Sequence, residues 1–326
     1  MIILTGGAGF IGSNIAADLN EAGRTDIVIA DALGTDAKWR NIAKRRFADI
    51  VFPDEIEPFL AGRSGVAAVI HMGANSSTTA TDADEIVRSN FRLSTRLWDW
   101  CTRTRTPLIY ASSAATYGDG SAGFVDDDSE AALERLRPMN LYGWSKHAFD
   151  RWALERARRG DAPPQWAGLK FFNVYGPNES HKGDMQSLVA KNTQPISEGK
   201  TIRMFKSHKE GFADGEQSRD FVYVKDCTAV ISWLLANPTV SGLFNLGTGK
   251  ARSFQDLMLA VGGALGQPVA FDYVDMPVAI RAQYQYFTQA EMTKLRRAGY
   301  QAPFHTLEDG VRDYVQGYLT KADRYR

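Results

Sequence analysis

The chain has 326 residues, 44% of them hydrophobic, enough to bury one large core or a large and a smaller one that share a cleft. Lysine plus arginine equals aspartate plus glutamate at 38 each, so no global field draws the protein to nucleic acid, and no run of 18 apolar residues offers a membrane span. Cys101 and Cys227 match neither a metal-ligand spacing nor a secreted disulfide framework, and Met1 leads into Ile2-Ile3-Leu4 without the basic and apolar regions of a signal peptide. The expectation is a cytoplasmic protein with reduced thiols, no metal and a small-molecule partner.

In chain order, short apolar or β-branched runs fall at Ile2–Thr5, Ile27–Asp31, Val66–His71, Pro107–Ser113 and Gly168–Asn173, each separated from the next by enough chain for a crossover helix. This predicts an α/β fold with a Rossmann-type, doubly wound parallel sheet. Runs apolar throughout, such as Ala67-Ala68-Val69-Ile70, suit a sheet covered on both faces.

The first predicted strand runs into Thr5-Gly6-Gly7-Ala8-Gly9-Phe10-Ile11-Gly12, which opens an amphipathic stretch ending near Gly23. Strand, glycine turn and helix together form a dinucleotide fingerprint. Gly6 and Gly9 permit a tight turn and close approach to a pyrophosphate. Gly12 lets the helix pack on the strand, and the helix N-terminus, at Phe10 and Ile11, presents free N–H groups and a positive dipole end. Asp31 lies 19 residues past Gly12, with Ala32 beside it, where a carboxylate can accept hydrogen bonds from an adenosine ribose. A carboxylate there favours NAD, because it repels a 2′-phosphate. Lys38, Arg40, Lys44, Arg45 and Arg46 follow and can either neutralise such a phosphate or form an ordinary solvated face, so NADP and NAD both stay open.

Met72-Gly73-Ala74-Asn75-Ser76, after another predicted strand, is placed to lie along the cofactor, with Asn90 as a further candidate for the same wall. Tyr110-Ala111-Ser112-Ser113 leaves a strand at its C-terminal end, where α/β folds hold their ligands, so Ser113 can hydrogen-bond an oxygen undergoing oxidation. Tyr142 and Lys146 stand four residues apart and share a helix face. A cation beside the phenol is expected to lower the cost of the phenolate, and its ammonium can bond the nicotinamide ribose. After Asn173 the segment Asn178–Gln217 is rich in Gly, Ser, Lys and Asp, while Phe221–Val224 and Leu243–Leu246 again look like core strands. Residues 1–172 with about 220–250 are assigned to a dinucleotide-binding domain. About 173–219 with 251–326 are assigned mainly to a discontinuous substrate domain.

These motifs resemble the extended short-chain dehydrogenase/reductase superfamily, as do Arg219-Asp220-Phe221-Val222-Tyr223-Val224-Lys225-Asp226 and Phe244-Asn245-Leu246-Gly247-Thr248-Gly249, and the likeness runs nearly end to end. Phe172-Asn173-Val174-Tyr175-Gly176-Pro177 running into His181-Lys182-Gly183, together with Tyr284-Gln285-Tyr286-Phe287-Thr288, is most similar to the ADP-glycero-manno-heptose 6-epimerase family. The resemblance implies an isomerase that oxidises and re-reduces C6 with a retained NADP, supplying a lipopolysaccharide core precursor. It implies Tyr142 and Lys182 as the two acid-base groups, supported by Lys146 and Ser113, and Val174 against the cofactor. Substrate contacts carried over are Asn173, Asp184, Lys191, Phe205, Lys206, Ser207, His208, Arg219 and Tyr284, with Arg219 suited to a bidentate grip on the ADP pyrophosphate. A homo-oligomer, pentameric by the same resemblance, is implied too.

Two departures stand out. Ser207–Ser218 is longer and more charged than the shortest family pattern, and Pro53 occupies a position where some members carry a basic residue near the cofactor phosphate. Among rivals, a dehydratase needs an acidic pair where this chain has Ala114 and Ala115. A UDP-sugar 4-epimerase shares Ser113 and Tyr142 but has no need of the Lys182 loop, and a dinucleotide-sensing regulator can dispense with the Tyr142/Lys146 pair.

Overall fold

A computed structural model describes residues 1–281 and 284–326. Its strands are β1 (Ile2–Thr5), β2 (Ile27–Ala30), β3 (Asp49–Val51), β4 (Ala68–His71), β5 (Leu108–Ser113), β6 (Trp166–Phe171), β7 (Asn173–Tyr175), β8 (Ile202–Phe205), β9 (Ser218–Tyr223), β10 (Gly242–Leu246), β11 (Ala251–Ser253) and β12 (Phe271–Val274). Seven form one sheet in the order β10-β6-β5-β4-β1-β2-β3. Every pairing in it is parallel. Successive side chains of a strand point to opposite faces, and all four residues of β1, β2 and β4 are buried, so helices cover both faces. Helix Phe10–Glu21 packs on Val224–Ala236, and Leu93–Thr104 packs on Leu141–Arg158.

The chain moves outward from β1 to β2 and β3, then returns to lay β4 on the other side of β1. A crevice opens at such a reversal, at the C-terminal ends of the strands, and it fixes where a ligand can sit.

The N-terminal strands fall where the apolar runs put them. Edge strand β3 escaped the sequence reading because Asp49-Ile50-Val51 is too short to show a pattern. Gly168–Asn173 proves to be two strands: β6 starts at Trp166, and Asn173 begins β7, which leaves the large sheet to pair with β9. The expected core strand Phe221–Val224 lies within or next to β9, which belongs to a separate sheet, β11-β9-β7. There it joins a second apolar cluster that includes Val189, Ile202, Leu257, Val311 and Tyr314. β8 and β12 form a two-stranded sheet of their own.

Beneath the ends of β5 and β6 lies a buried ion pair. Lys170 of β6, 1% exposed, places Nζ 3.1 Å from Oδ2 of Asp150, 0% exposed, on helix Leu141–Arg158. Ser112 Oγ donates to the same oxygen at 2.7 Å, Tyr110 donates to Oδ1 at 3.2 Å, and Lys170 donates to Thr116 Oγ1 at 2.7 Å. Desolvating two charges is costly, and such a pair persists where further hydrogen bonds satisfy both partners, as here. Lys170→Met should therefore lower unfolding stability by about 3–5 kcal/mol, because it strands a buried carboxylate. Lys170→Met combined with Asp150→Leu should recover most of that. Urea unfolding of both variants checks this, and a single variant as stable as the parent would show the pair to be dispensable.

Candidate active site

The glycine turn is shaped by contact with the loop after β4. Gly6 has φ +66°, and a Cβ on it would stand 2.6 Å from Gly73 N. A Cβ on Gly12 would meet Gly6 O at 2.1 Å, so helix, turn and neighbouring loop are closer than any side chain allows. No side chain caps the first turn of helix Phe10–Glu21, which leaves its N–H groups to an anion. That cradle fits a dinucleotide pyrophosphate.

Asp31, at the end of β2, is buried and braced. Its Oδ2 accepts from Ala8 N at 2.9 Å, and its Oδ1 accepts from Ala32 N at 2.8 Å and from Lys38 Nζ at 2.6 Å. Lys38 thus compensates the charge that would repel a 2′-phosphate. Ala32 contributes its backbone to this brace, while its side chain is exposed and stands outside the cleft.

Tyr142 is the second residue of its helix, whose start is capped by Asn140 Oδ1 accepting from Gly143 N at 2.8 Å. A Cβ on Gly143 would lie 2.7 Å from Ala115 O, so this helix abuts the turn that follows Ser113. Phenol and serine hydroxyl therefore meet on one wall. Ser113 Oγ accepts from Ala115 N at 3.1 Å, leaving its O–H for another acceptor. Burial raises the Tyr142 phenol above its usual range, opposed by a hydrogen bond with Ser113 and reinforced by the Asp150 charge. Lys146, one turn on, is lowered to about 8 by burial, with Asp150 working the other way.

This differs from the expected lowering of the phenol by Lys146. The same desolvation that penalises the phenolate penalises the ammonium, and the Asp150 anion one turn beyond Lys146 offsets its field.

Lys182 enters from another element, the 3₁₀ segment Ser180–Met185, with Nζ 5.0 Å from the centre of the Phe10 ring. Burial lowers its ammonium; the neighbouring Glu179 carboxylate opposes this and Lys191 adds to it. Glu179 is buried and accepts from Ser187 N and Oγ, both at 2.6 Å, which ties the loop at its base.

One cleft of about 750 Å³ collects most of the sequence candidates: Gly6, Gly9, Phe10, Ile11, Gly12, Asp31, Lys38, Met72, Gly73, Ala74, Asn75, Ser76, Ser113, Tyr142, Lys146, Asn173, Val174 and Lys182. Asn90 is a correction. It is fully buried on a π-helical turn and does not reach the cleft. Its amide holds Asn75, donating to the carbonyl at 2.9 Å and accepting from the N–H at 2.8 Å, and donates to Ser145 Oγ at 3.0 Å. It positions the wall without forming part of it. Lining residues absent from the sequence reading include His181, Gln186, Phe254 and Leu257. The last two are apolar and indistinguishable from core in a sequence, whereas His181 stood in a quoted motif.

The remaining candidates lie elsewhere. Asp184 and Lys191 are exposed outside the cleft, with Lys191 donating to the Asp184 carbonyl at 2.6 Å. His208 and Tyr284 line a second cavity of about 930 Å³ with Lys209, Arg281 and Gln285. Phe205 sets its ring 6.2 Å from that of Tyr284. Lys206 faces Asp275 at 3.7 Å, and Ser207 N donates to Asp214 Oδ1 at 2.7 Å.

Arg219 is buried between the rings of Phe254 and Tyr284, 5.4 Å from the centre of each, and donates to Ser218 O at 2.9 Å. Among the described residues no carboxylate pairs with it. Phe254 lines the first cavity and Tyr284 the second, so Arg219 stands where they approach each other.

Comparison with known proteins gives the arrangement a lineage. The chain is 48% identical over 334 residues to an ADP-L-glycero-D-manno-heptose-6-epimerase from Fusobacterium nucleatum, and all of both chains is covered. It is 50% identical over 328 residues to a protein of the same name from Nitratidesulfovibrio vulgaris, again over both full lengths. Among solved structures, the Helicobacter pylori ADP-L-glycero-D-manno-heptose-6-epimerase superposes with a TM-score of 0.78 at 26% identity, covering 97% of this chain and 95% of that one. A model of the NAD dependent epimerase/dehydratase family matches residues 2–247, which hold the glycine turn, Ser113, Tyr142, Lys146 and Lys182, and the chain belongs to that family.

Proposed function

We propose that this protein inverts C6 of ADP-glycero-manno-heptose, D-glycero to L-glycero, for lipopolysaccharide core precursor synthesis. The observation that carries the reading is identity of 48% and 50% to two proteins of that name over their entire lengths. It is an epimerase and takes a nicotinamide dinucleotide, as its family does. NADP is the form we propose, supported by the Lys38 ammonium that compensates Asp31. The UDP-sugar 4-epimerase alternative is not favoured by these relatives.

The dinucleotide supplies a hydride acceptor that becomes the donor, so net redox change is zero. The chain's own residues move the protons. Ser113 and Tyr142 are proposed to hold the C6 oxygen, and Lys146 to bond the nicotinamide ribose. Burial raises the phenol and lowers the Lys182 ammonium, so Tyr142 is suited to donate a proton to the C6 oxygen as the acid, and Lys182 in its neutral form to accept the C6 hydroxyl proton as the base. The two stand on different elements of one cleft, which suits a reaction that handles the sugar alcohol in two orientations. Arg219, a buried cation without an acidic partner, is proposed to take the ADP pyrophosphate, with the cavity of His208 and Tyr284 beyond it for the nucleotide. Asn173 is proposed to meet the sugar. Residues 1–172 with about 220–250 are proposed as the dinucleotide-binding part and the rest mainly as the substrate part. The same resemblance extends the proposal to a cytoplasmic homo-oligomer, a pentamer.

Offering ADP-heptose and UDP-galactose side by side tests the reading, since turnover of the second alone would replace it. Tyr142→Phe should cut epimerisation by about 10²–10⁴-fold with cofactor affinity nearly unchanged, and near-normal turnover would remove the phenol from the mechanism. Lys182→Met should slow epimerisation by about 10²-fold or more, by the same factor in kcat/KM for both directions as the fixed equilibrium requires, with KM little changed, whereas a raised KM at near-normal kcat would indicate a mere phosphate contact. Lys38→Ala should weaken NADP binding by about tenfold or more and NAD binding far less, read by titration of both dinucleotides.

A further inference from the structure

The loop that bears Lys182 also sends His181 into the cleft near Asp31 and Lys38. His181 Nδ1 lies 3.0 Å from Asn41 Nδ2, and that same amide nitrogen donates to Ala8 O at 2.9 Å. The Ala8 carbonyl fixes the amide orientation, because an amide oxygen turned toward it would be repelled. Nδ1 therefore accepts, and the ring carries its proton on Nε2. Burial, with Lys38 next in effect, lowers the imidazole below its usual range, so it is neutral at pH 7; Asp36, Lys182 and Asp31 are the other charges facing it. Among the described residues nothing accepts from Nε2–H.

Lys38 is similarly underused. Two of its three N–H groups go to Asp31 Oδ1 and Ala32 O, at 2.6 and 2.8 Å, and one remains. The neighbouring strand β3, whose Val51 O accepts from Asp31 N at 3.0 Å, is followed by Phe52 and Pro53; the Phe52 side chain is exposed and Pro53 has no N–H. Neither side chain offers a donor there. An acid at the end of the second strand of such a fold meets the adenosine ribose, and here Lys38 bonds that acid while His181 lines the same cleft within reach of both charges.

We propose that His181, through Nε2–H, joins Lys38 in holding the 2′-phosphate of NADP and thereby sets the preference for the phosphorylated dinucleotide. This rests on the reading that the cleft takes a nicotinamide dinucleotide and is independent of which sugar is turned over.

The test is titration of nucleotide-stripped protein with NADP⁺ and NAD⁺, followed by tryptophan fluorescence or calorimetry. His181→Phe should weaken NADP⁺ about 10- to 100-fold, the range of a hydrogen bond to a charged group, while NAD⁺ affinity stays within about twofold. Retained NAD⁺ binding also shows that the variant is folded; if circular dichroism shows that it is not, His181→Ala is read in the same way. Equal weakening of both nucleotides overturns the proposal, since it would place the ring against the pyrophosphate they share. An unchanged NADP⁺/NAD⁺ ratio overturns it too, as does a parent protein without preference for NADP⁺. A parent that prefers NADP⁺ yet leaves ADP-heptose untouched would remove the substrate assignment and leave that of His181 standing.

Discussion

A carboxylate with no access to solvent sets both the geometry and the charge of this site. Asp150 lies two helical turns beyond Tyr142 and one beyond Lys146, and it accepts hydrogen bonds from Tyr110, Ser112 and Lys170. Lysine can only donate, so the Thr116 hydroxyl that accepts from Lys170 must give its own proton to Ser113 O, 2.8 Å away. The helix bearing Tyr142 and Lys146 and the Ser113 loop are thereby fastened to the same buried anion. Displacing it would disturb the phenol and the serine together.

The same anion governs protonation. Burial alone would drive Lys146 toward its neutral form, and the Asp150 charge holds it at about 8, where it keeps its proton near neutrality. Its effect on Tyr142 is the opposite, adding to burial in keeping the phenol protonated. One charge thus stabilises a cation and suppresses a second anion four residues away. The pair is better described as a neutral acid beside a retained cation than as a preformed phenolate.

Much of this was legible in the sequence because it is local. Strands buried on both faces announce themselves as unbroken apolar runs, and the glycine turn, Ser113 and the Tyr142/Lys146 spacing each lie within one strand end or helix turn. What was not legible depends on distant partners. Nothing near Phe221 tells which sheet β9 will join. Asn90 reads as a polar lining residue, and only its bonds to Asn75 and Ser145 show that it works from behind. A lone lysine in Gly-Leu-Lys-Phe-Phe and an aspartate inside a helix carry no mark of being each other's counterion. His181 stood beside the residue that drew attention, and its use depends on Asn41, 140 positions earlier.

Arg219 shows how neighbours in sequence are put to different work. Alternation along β9 turns Arg219 and Asp220 to opposite faces, so the adjacent charges do not pair. Asp220 accepts from the N–H groups of Thr248, Gly249 and Ala290 at 2.7, 2.9 and 3.0 Å, which ties the loop after β10 to the segment at Ala290. A Cβ on Gly247 would come within 2.7 Å of that carboxylate, so the close approach demands glycine there. With its neighbour spent on structure, Arg219 keeps its charge between two aromatic rings at the junction of the two cavities. A sugar nucleotide lying across that junction would have its pyrophosphate at Arg219 and its sugar toward Tyr142. Specificity would then be set by the distance between a fixed cation and a fixed acid, which one sheet and one strand hold in register.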